Sequence, residues 1–374
     1  MKTFYYASIL LLLSCGQQKT TNQFSSADTL ATNYARGFSI IRHPDCFEAI
    51  IKNPWQGAQN VTVRYLLSKN PEQVTNHAGM PVIRIPIRRA VCLSTTHIAM
   101  IDAISETESI AGISGKYLVS NKTVLEKIKN GKAFDVGYQN NLNYELLLGM
   151  KPDVIFAYGI GNEFASYVKK LRDLGFAVVF NAEYLENEPL AKTEWVKFMA
   201  LFYDKYDTAC RMFDTICHRY NAMKKLTSSV AERPAVLYGL PWNGTWHMAG
   251  GESYAARMIR DAGGNFLWAD TKSHEALPLS IETVIAKADS ADIWINTGAA
   301  LSRADIAAVE KRLSNLTIFK NGKIYNNNAI LTAEGGNDYW ESGVMMPDVI
   351  LSDLIKIFHP GLLPDHHLYF YKKL

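Results

Sequence analysis

Aromatic side chains recur in loops that contain glycine or that directly follow a predicted strand. Such rings seldom belong to the hydrophobic core, because connecting loops usually run over the surface. Flat, rigid side chains instead give a large contact area at little entropic cost, which suits non-covalent binding of a large planar or apolar ligand. The ligand-binding candidates are these rings and two threonines at the start of a predicted helix: Thr95, Thr96, Tyr117, Tyr138, Tyr158, Trp242, Trp246, Tyr339 and Trp340.

Residues that perform covalent chemistry are not arranged in a familiar catalytic pattern. The sequence contains no G-x-S-x-G, Walker A or H-E-x-x-H motif. Residues 159–164 follow a strand as a dinucleotide fingerprint would, but they lack the third glycine that lets the helix pack closely. A receptor for bare Zn²⁺ or Mn²⁺ would need three or four His and carboxylate ligands, whereas the candidate loops are richer in rings. We therefore expect no catalytic residues, no cofactor and no resident metal.

The N-terminus has the pattern of an export signal over residues 1–14. Lys2 supplies positive charge, and the apolar stretch that follows is too short to span a bilayer. The sequence from Leu12 to Gly16, Leu-Leu-Ser-Cys-Gly, resembles the bacterial lipoprotein box, in which the cysteine is acylated after the signal is removed. We expect Cys15 to carry the lipid and residues 15–35 to form a polar tether. The alternative is a plain secretory signal with an accidental cysteine.

The elements that position the candidate residues alternate between strand and helix along the 374-residue chain. Hydrophobic residues make up 48%, charged residues 20%, and the net charge is only +3, which fits a folded protein and gives no reason to expect a nucleic-acid partner. The alternation predicts an α/β fold with two Rossmann-like lobes and mostly parallel sheets. The predicted lobes are residues 36–188 and 231–374, and strands at 38–41, 47–51 and 61–67 are expected to form a meander at the edge of the first sheet.

The segment between the lobes contains neither glycine nor proline from residue 193 to residue 226. Its apolar and aromatic residues recur at steps of three and four, the period of one helical face. This pattern predicts a single helix of about 32 residues, roughly 48 Å long, within a linking segment at 189–230. A coiled coil is the alternative, but no partner heptad occurs elsewhere in the chain.

Four cysteines remain once Cys15 is set aside: Cys46, Cys92, Cys210 and Cys217. They form no CxxC pair and no metal-ligand spacing. Cys210 and Cys217 lie roughly 10 Å apart on the predicted helix, which is too far for a disulfide. We expect free thiols.

Two stretches of the chain, 145–159 and 282–298, correspond to one another. Each begins with a glutamate that opens a short helix and continues through an aspartate-containing turn to an apolar strand that ends near a glycine. The correspondence predicts two equivalent lobes with Glu145 and Glu282 in matching positions. A negative charge near a helix N-terminus gains about 0.3–1 kcal/mol, so a local role can explain both glutamates.

Several motifs, taken in order and spacing, resemble the class III substrate-binding lipoproteins of ABC importers, which capture cobalamin, ferric siderophores and haem. The resemblance runs from about residue 38 to residue 359. The motifs that carry it are Cys92-Leu-Ser-Thr-Thr-His97, Asp135-Val-Gly-Tyr-Gln-Asn-Asn-Leu-Asn-Tyr-Glu145, Lys151-Pro-Asp153, the central helical segment, Gly250-Gly-Glu-Ser-Tyr254 and Asp261-Ala-Gly-Gly264.

The resemblance implies two α/β lobes joined by one long helix, a ligand cleft between them and little hinge closure. In the similar cobalamin binders, aromatic residues at the strand end before Gly159 and shortly before the Gly250 loop contact the ligand. Those binders carry a tryptophan before the second-lobe glutamate, whereas residues 276–279 here are Ala-Leu-Pro-Leu, which disfavours cobalamin. One glutamate per lobe docks onto permease arginines in that family, which assigns this role to Glu145 and Glu282.

The sequence therefore predicts a lipid-anchored periplasmic binding protein, not an enzyme. It would capture a ferric siderophore or a corrinoid-type metal chelate and deliver it to an ABC permease dimer with its ATPase subunits. The lipid anchor would be its only contact with the membrane. Two other classes stay open: a receptor for a bare transition metal or haem, and a nitrogenase-like two-lobed α/β oxidoreductase, which the missing cluster cysteines weaken.

Overall fold

A computed structural model describes residues 28–74, 80, 82–138, 141–160 and 164–374. The predicted signal at 1–14, the lipidation candidate Cys15 and residues 16–27 of the predicted tether lie outside the described residues. Within the described ranges, no helix is long and apolar enough to cross a membrane.

The first described strands form a sheet of their own, in which β1 to β4 pair antiparallel in chain order and β5 is parallel to β4. Their bounds are β1 Asp28–Leu30, β2 Phe38–Arg42, β3 Phe47–Lys52, β4 Thr62–Ser68 and β5 Val82–Arg84. The predicted strands are therefore present. However, they build a separate sheet and do not extend the edge of the parallel sheet, which corrects the expected arrangement.

A buried carboxylate fixes the region that we predicted to be the end of the tether. Glu194 accepts hydrogen bonds from the backbone N–H groups of Asn33, Tyr34 and Ala35 at 2.7–3.1 Å and from Lys197 Nζ at 2.7 Å. Because β1 is already paired with β2, residues 28–35 belong to the folded body and not to the tether.

The first lobe is built on a parallel sheet in the order β10-β9-β6-β7-β8. Its strands are mostly buried, as expected for parallel strands covered on both faces. The bounds are β6 Ala90–Cys92, β7 Ile110–Ile113, β8 Phe134–Asp135, β9 Val154–Ala157 and β10 Val178–Phe180, with helices α1 Thr95–Ala103, α2 Lys122–Lys129, α3 Tyr144–Met150 and α4 Phe164–Asp173.

The second lobe has a sheet in the order β13-β11-β15-β16-β17, parallel except for β17, and a separate antiparallel pair of β12 and β14. The strand bounds are β11 Ala235–Tyr238, β12 Trp246–Met248, β13 Asn265–Phe266, β14 Leu277–Leu279, β15 Ile293–Ile295, β16 Ile324–Asn326 and β17 Lys372–Lys373. The helices are α7 Tyr254–Asp261, α8 Ile281–Ala288, α9 Arg303–Val309, α10 Thr317–Asn321 and α11 Pro347–Phe358. The α/β fold with mostly parallel sheets in two lobes is as predicted.

The single long helix predicted between the lobes is wrong, because the segment holds two helices, α5 Pro189–Leu201 and α6 Tyr206–Leu226. A Schellman-type turn ends α5: the Asp204 N–H donates to the Leu201 carbonyl, and the Lys205 N–H donates to the Ala200 carbonyl. Asp204 takes the left-handed position of this turn, with φ +57°, where glycine is usual. Its carboxylate lies 2.6 Å from Lys69 Nζ.

After this turn, α6 runs back along α5. Lys197 Nζ lies 4.4 Å from the centroid of the Phe213 ring, whereas a continuous helix would place these residues roughly 24 Å apart. All residues of α5 except Lys192 are buried. The two lobes are therefore linked by a helical hairpin whose first helix, α5, is almost wholly buried.

A segment of the second lobe, residues 338–344, binds the first lobe and α5 directly. Ser120 donates to it twice, from its N–H to Glu341 at 2.8 Å and from its hydroxyl to Asp338 at 2.7 Å. Two threonine hydroxyls donate to its backbone, Thr95 to the Trp340 carbonyl at 3.3 Å and Thr193 to the Val344 carbonyl at 2.8 Å. We call residues 338–344 the bridging segment.

Candidate functional site

The first-lobe candidates all follow the carboxyl ends of the parallel strands. Thr95 and Thr96 follow β6, and Ser94 caps the helix that they begin, with its hydroxyl accepting from the Thr96 N–H. Tyr117, Tyr138 and Tyr158 follow β7, β8 and β9 in the same way. The carboxyl ends of parallel strands share one edge of a sheet, which is where ligands of open α/β sheets bind.

A cavity of about 220 Å³ lies between these strand ends and the bridging segment, and we call it the interlobe cavity. Residues of both lobes and of α5 meet around it. Its lining is Thr96, Glu183, Tyr184, Pro189, Lys192, Tyr254, Tyr339, Trp340, Gly343 and Val344. Three of the predicted ligand-binding residues, Thr96, Tyr339 and Trp340, are thus brought together.

A larger cavity of about 810 Å³ lies on the α6 side of the bridging segment, against the Ala99 face of α1. It is lined by none of the residues predicted to bind ligand. We therefore place the candidate site at the interlobe cavity, where the predicted residues converge.

One wall of the interlobe cavity carries a carboxylate and an ammonium. Glu183 is 3% exposed, and its Oε1 accepts a hydrogen bond from the Thr96 hydroxyl at 2.5 Å. Its Oε2 has no hydrogen-bond partner among the described residues. Burial raises the pKa of this carboxyl, against the opposing effects of the Thr96 hydrogen bond and the Lys192 charge.

The ammonium belongs to Lys192, whose Nζ lies 4.5 Å from the centroid of the Tyr254 ring, a cation–π geometry. Burial lowers the pKa of Lys192, while the carboxylates of Glu183 and Glu186 act in the opposite direction. The wall therefore offers one acceptor and one donor that influence each other electrostatically.

Two tyrosines, Tyr254 and Tyr339, line the second-lobe side of the cavity. Burial raises the pKa of Tyr254 and Tyr339, so both hydroxyls stay protonated at neutral pH and can donate hydrogen bonds. Behind them, the Tyr371 hydroxyl donates to Asn296 Oδ1 at 2.7 Å. This side of the site is polar at its hydroxyls and aromatic elsewhere.

Tyr138 and Tyr158 lie next to the cavity but do not line it. Their hydroxyls are 3.3 Å apart, and the Tyr158 ring packs edge-on against Tyr184, with 6.2 Å between the centroids. Tyr184, which does line the cavity, donates a hydrogen bond to the Gly159 carbonyl at 2.5 Å. The two predicted tyrosines thus support a cavity residue.

Two candidates, Tyr117 and Trp242, do not line the interlobe cavity. Their side chains are 49% and 69% exposed, respectively. Trp242 belongs to a tight turn that it closes with Thr245, with Asn243 and Gly244 at positive φ.

Trp246 lies in the core and not in the cleft, which corrects our expectation for this residue. It is 0% exposed, its Nε1–H donates to the Tyr238 carbonyl at 3.0 Å, and its ring stacks on Trp294 at 6.0 Å. The physical reason is the pairing of β12 with β14, which places Trp246 opposite Leu279 on the buried face of this pair.

Sequence reasoning missed Glu183, Tyr184, Lys192 and Tyr254. Glu183 and Tyr184 follow β10. Because ligands of open α/β sheets bind beyond the carboxyl ends of the strands, this position could have identified both residues. Tyr254 stands in a motif that carries the family resemblance, but it was not assigned a role. Lys192 lies inside a helix, and no local signal marks it.

The docking candidates Glu145 and Glu282 both lie in the first turn of a short helix, α3 and α8, and both are exposed. Glu282 accepts a hydrogen bond from Arg312 Nη1 at 2.7 Å, and Arg312 also pairs with Glu310. The pKa of Glu282 is lowered, chiefly by the Arg312 hydrogen bond. Two carboxylates share one guanidinium, so the Glu282 cluster retains a net negative charge.

The four cysteines of the described region are free thiols, as predicted. Within the same residues, no group of three or more His, Cys, Asp or Glu side chains is arranged to hold a metal ion.

Comparisons with known proteins place this geometry in context. Residues 90–329 match the family described as periplasmic binding protein. An uncharacterised lipoprotein of Methanocaldococcus jannaschii is 27% identical over 92% of this chain and 86% of its own length. A periplasmic heme-binding protein of Roseiflexus has the same fold with a TM-score of 0.54 at 20% identity, covering 74% of this chain and 99% of that one. A periplasmic vitamin B12 binding protein of Vibrio cholerae has a TM-score of 0.52 at 14% identity, covering 73% of this chain and 96% of that one.

Because the family match spans more than half of the chain, the resemblance found in the sequence is confirmed, and the chain belongs to the periplasmic binding protein family.

Proposed function

We propose that this chain is the solute-binding component of an ABC importer and that its solute is a metal chelate of the ferric-siderophore or corrinoid type. The observation that carries the proposal is the interlobe cavity, where rings from both lobes converge at the carboxyl ends of parallel strands. Membership of the periplasmic binding protein family supports the same role. The protein would do no covalent chemistry.

A chelate fits this site better than a bare metal ion. The cavity presents Tyr184, Tyr254, Tyr339 and Trp340, whose faces suit an organic ligand. A bare Zn²⁺ or Mn²⁺ would need three or four converging side-chain ligands, and the described residues contain no such group.

Equilibrium dialysis of the purified chain against ferrichrome, dicyanocobinamide, haemin and ZnCl₂ tests the proposal. We expect saturable binding of ferrichrome or dicyanocobinamide, and Trp340→Ala should weaken it by about 1–3 kcal/mol, or roughly 5- to 150-fold, because an exposed cavity ring is lost. The melting temperature without ligand should not change, since Trp340 is 57% exposed.

Trp242→Ala is the matched control, because this tryptophan is also exposed but does not line the cavity. Its chelate affinity should fall less than that of Trp340→Ala. Tight binding of Zn²⁺ with no chelate bound would overturn the proposal in favour of a bare-metal receptor.

We further propose that Glu145 and Glu282 dock the two lobes onto a permease dimer. A negative group on each lobe suits a partner with two equivalent basic sockets, and charge complementarity of this kind mainly sets orientation and encounter rate. Both glutamates are exposed at helix starts, and the Glu282 cluster stays negative despite Arg312.

Glu145→Ala and Glu282→Ala should each reduce chelate uptake by cells while leaving chelate affinity unchanged, and the double variant should transport least. Raised salt should mimic the double variant in a reconstituted ATPase assay, because exposed charges are screened. Glu126→Ala, which removes another exposed helical carboxylate, is the control. Normal transport by the double variant at normal expression would leave the two glutamates as helix-start residues only.

A further inference from the structure

The size of the interlobe cavity limits what can enter it. At about 220 Å³ it is smaller than the roughly 300–1,000 Å³ of sites that enclose a whole organic ligand. A metal chelate would therefore place only a peripheral group inside it. The side chains of the cavity wall then decide which peripheral group is accepted.

Two ionisable side chains, Glu183 and Lys192, belong to that wall. Glu183 and Lys192 each alter the pKa of the other, yet no ion pair joins them among the described residues. Glu183 Oε2 lacks a hydrogen-bond partner within the described chain, and the Lys192 ammonium lies over the Tyr254 ring. The wall thus retains an unused acceptor and a donor of opposite charge.

The Glu183 carboxylate and the Lys192 ammonium favour a ligand group that can both donate and accept a hydrogen bond. An N–H of the ligand would donate to the Glu183 carboxylate, and an adjacent carbonyl oxygen would accept from Lys192 or from the Tyr254 hydroxyl. A carboxamide supplies both atoms in one plane and carries no charge. A bare carboxylate has no N–H to donate to Glu183, so it would leave that buried acceptor unpaired.

We propose that the Glu183–Lys192 wall is a specificity subsite for a carboxamide on the periphery of a neutral or cationic chelate. This inference rests on the proposed function, because it names the ligand chemistry of the same cleft. Two sources share this chemistry: the primary amides of a corrinoid and the peptide amides of a hydroxamate siderophore.

Equilibrium dialysis with matched chelates tests the subsite without altering the protein. Dicyanocobinamide and dicyanocobyrinic acid heptamethyl ester share a corrin ring, but the ester has lost the amide N–H groups. Ferrichrome carries peptide amides, and haemin carries carboxylates. We expect either cobinamide or ferrichrome to bind, which identifies the source, and haemin to bind at least roughly tenfold more weakly than that chelate. If dicyanocobinamide binds, the heptamethyl ester should also bind at least roughly tenfold more weakly than dicyanocobinamide.

Substitutions of Glu183 and Lys192 then test whether these two side chains cause the preference for amide-bearing chelates. Glu183→Gln and Lys192→Met should each lower the affinity for the amide-bearing chelate by roughly 10- to 100-fold. Glu183→Gln should also reduce the ratio between the affinity for that chelate and the affinity for haemin. Glu252→Gln, whose glutamate pairs with His274, and Lys287→Met, whose lysine lies 5.1 Å from the Trp268 ring centroid, are controls outside the cavity. Thermal melts check that each variant is folded.

The outcomes separate the two proposals. Haemin binding as tightly as the amide-bearing chelates, or equal affinity for cobinamide and its ester, overturns the carboxamide subsite while leaving chelate binding intact. Binding of no chelate in the panel overturns the proposed function itself.

Discussion

Replacing Trp246 by alanine is expected to lower the free energy of unfolding by about 3–5 kcal/mol, the usual cost of removing a large aromatic side chain from a core. The indole is fully buried, stacks on Trp294 and donates a hydrogen bond to the Tyr238 carbonyl. Urea denaturation followed by circular dichroism measures the change as a lower midpoint. Chelate affinity of the folded fraction should stay near the wild-type value, since Trp246 does not line the interlobe cavity.

The neighbouring Trp242→Ala provides the comparison for stability, because its side chain is 69% exposed. Its unfolding free energy should change by less than about 0.5 kcal/mol. Reduced chelate affinity of Trp246→Ala at unchanged stability would show instead that this ring reaches the ligand.

Changing Cys15 to serine is expected to abolish membrane retention completely. Lipid attachment is predicted from the lipoprotein box around Cys15. Several acyl chains anchor a protein stably, at about 0.8 kcal/mol per buried CH₂. Without them, the variant should leave the membrane pellet after fractionation.

A high-salt wash controls for electrostatic attachment in this experiment, and Cys46→Ser controls for the loss of a thiol. Retention of the Cys15→Ser variant in washed membranes would contradict the lipid anchor. A released variant with wild-type chelate affinity would show that the anchor and the cleft act independently.

The alternation of strands and helices could be predicted because most strands of the two parallel sheets are short apolar runs, and helices such as α2 and α4 have an apolar periodicity. Helix α7 at Tyr254–Asp261 and α11 at Pro347–Phe358 begin at residues whose local signals are strong, a serine cap and a proline. Thr96, which was predicted to bind ligand from the start of a helix, does line the cavity.

Features that depend on distant residues could not be predicted. The break after α5 uses Asp204 in a left-handed conformation with Lys69 as its ionic partner, and neither glycine nor proline marks it. The pairing of Trp246 with Leu279 joins segments more than 30 residues apart. The hydrogen bond from the Asn33 N–H to the Glu194 carboxylate joins residues 161 positions apart. The sequence around residue 33 therefore contains no signal that this segment belongs to the folded body.

The bridging segment has a kinetic consequence. Its hydrogen bonds to Thr95, Ser120 and Thr193 hold the walls of the interlobe cavity together before any ligand is present. At about 0.5–1.5 kcal/mol each, the four bonds oppose separation by about 2–6 kcal/mol. An unliganded molecule with parted walls would then be a minor species, at roughly 3% or less of the population. Capture would therefore meet walls that are already in place, whereas parting the two lobes during release would cost about 2–6 kcal/mol.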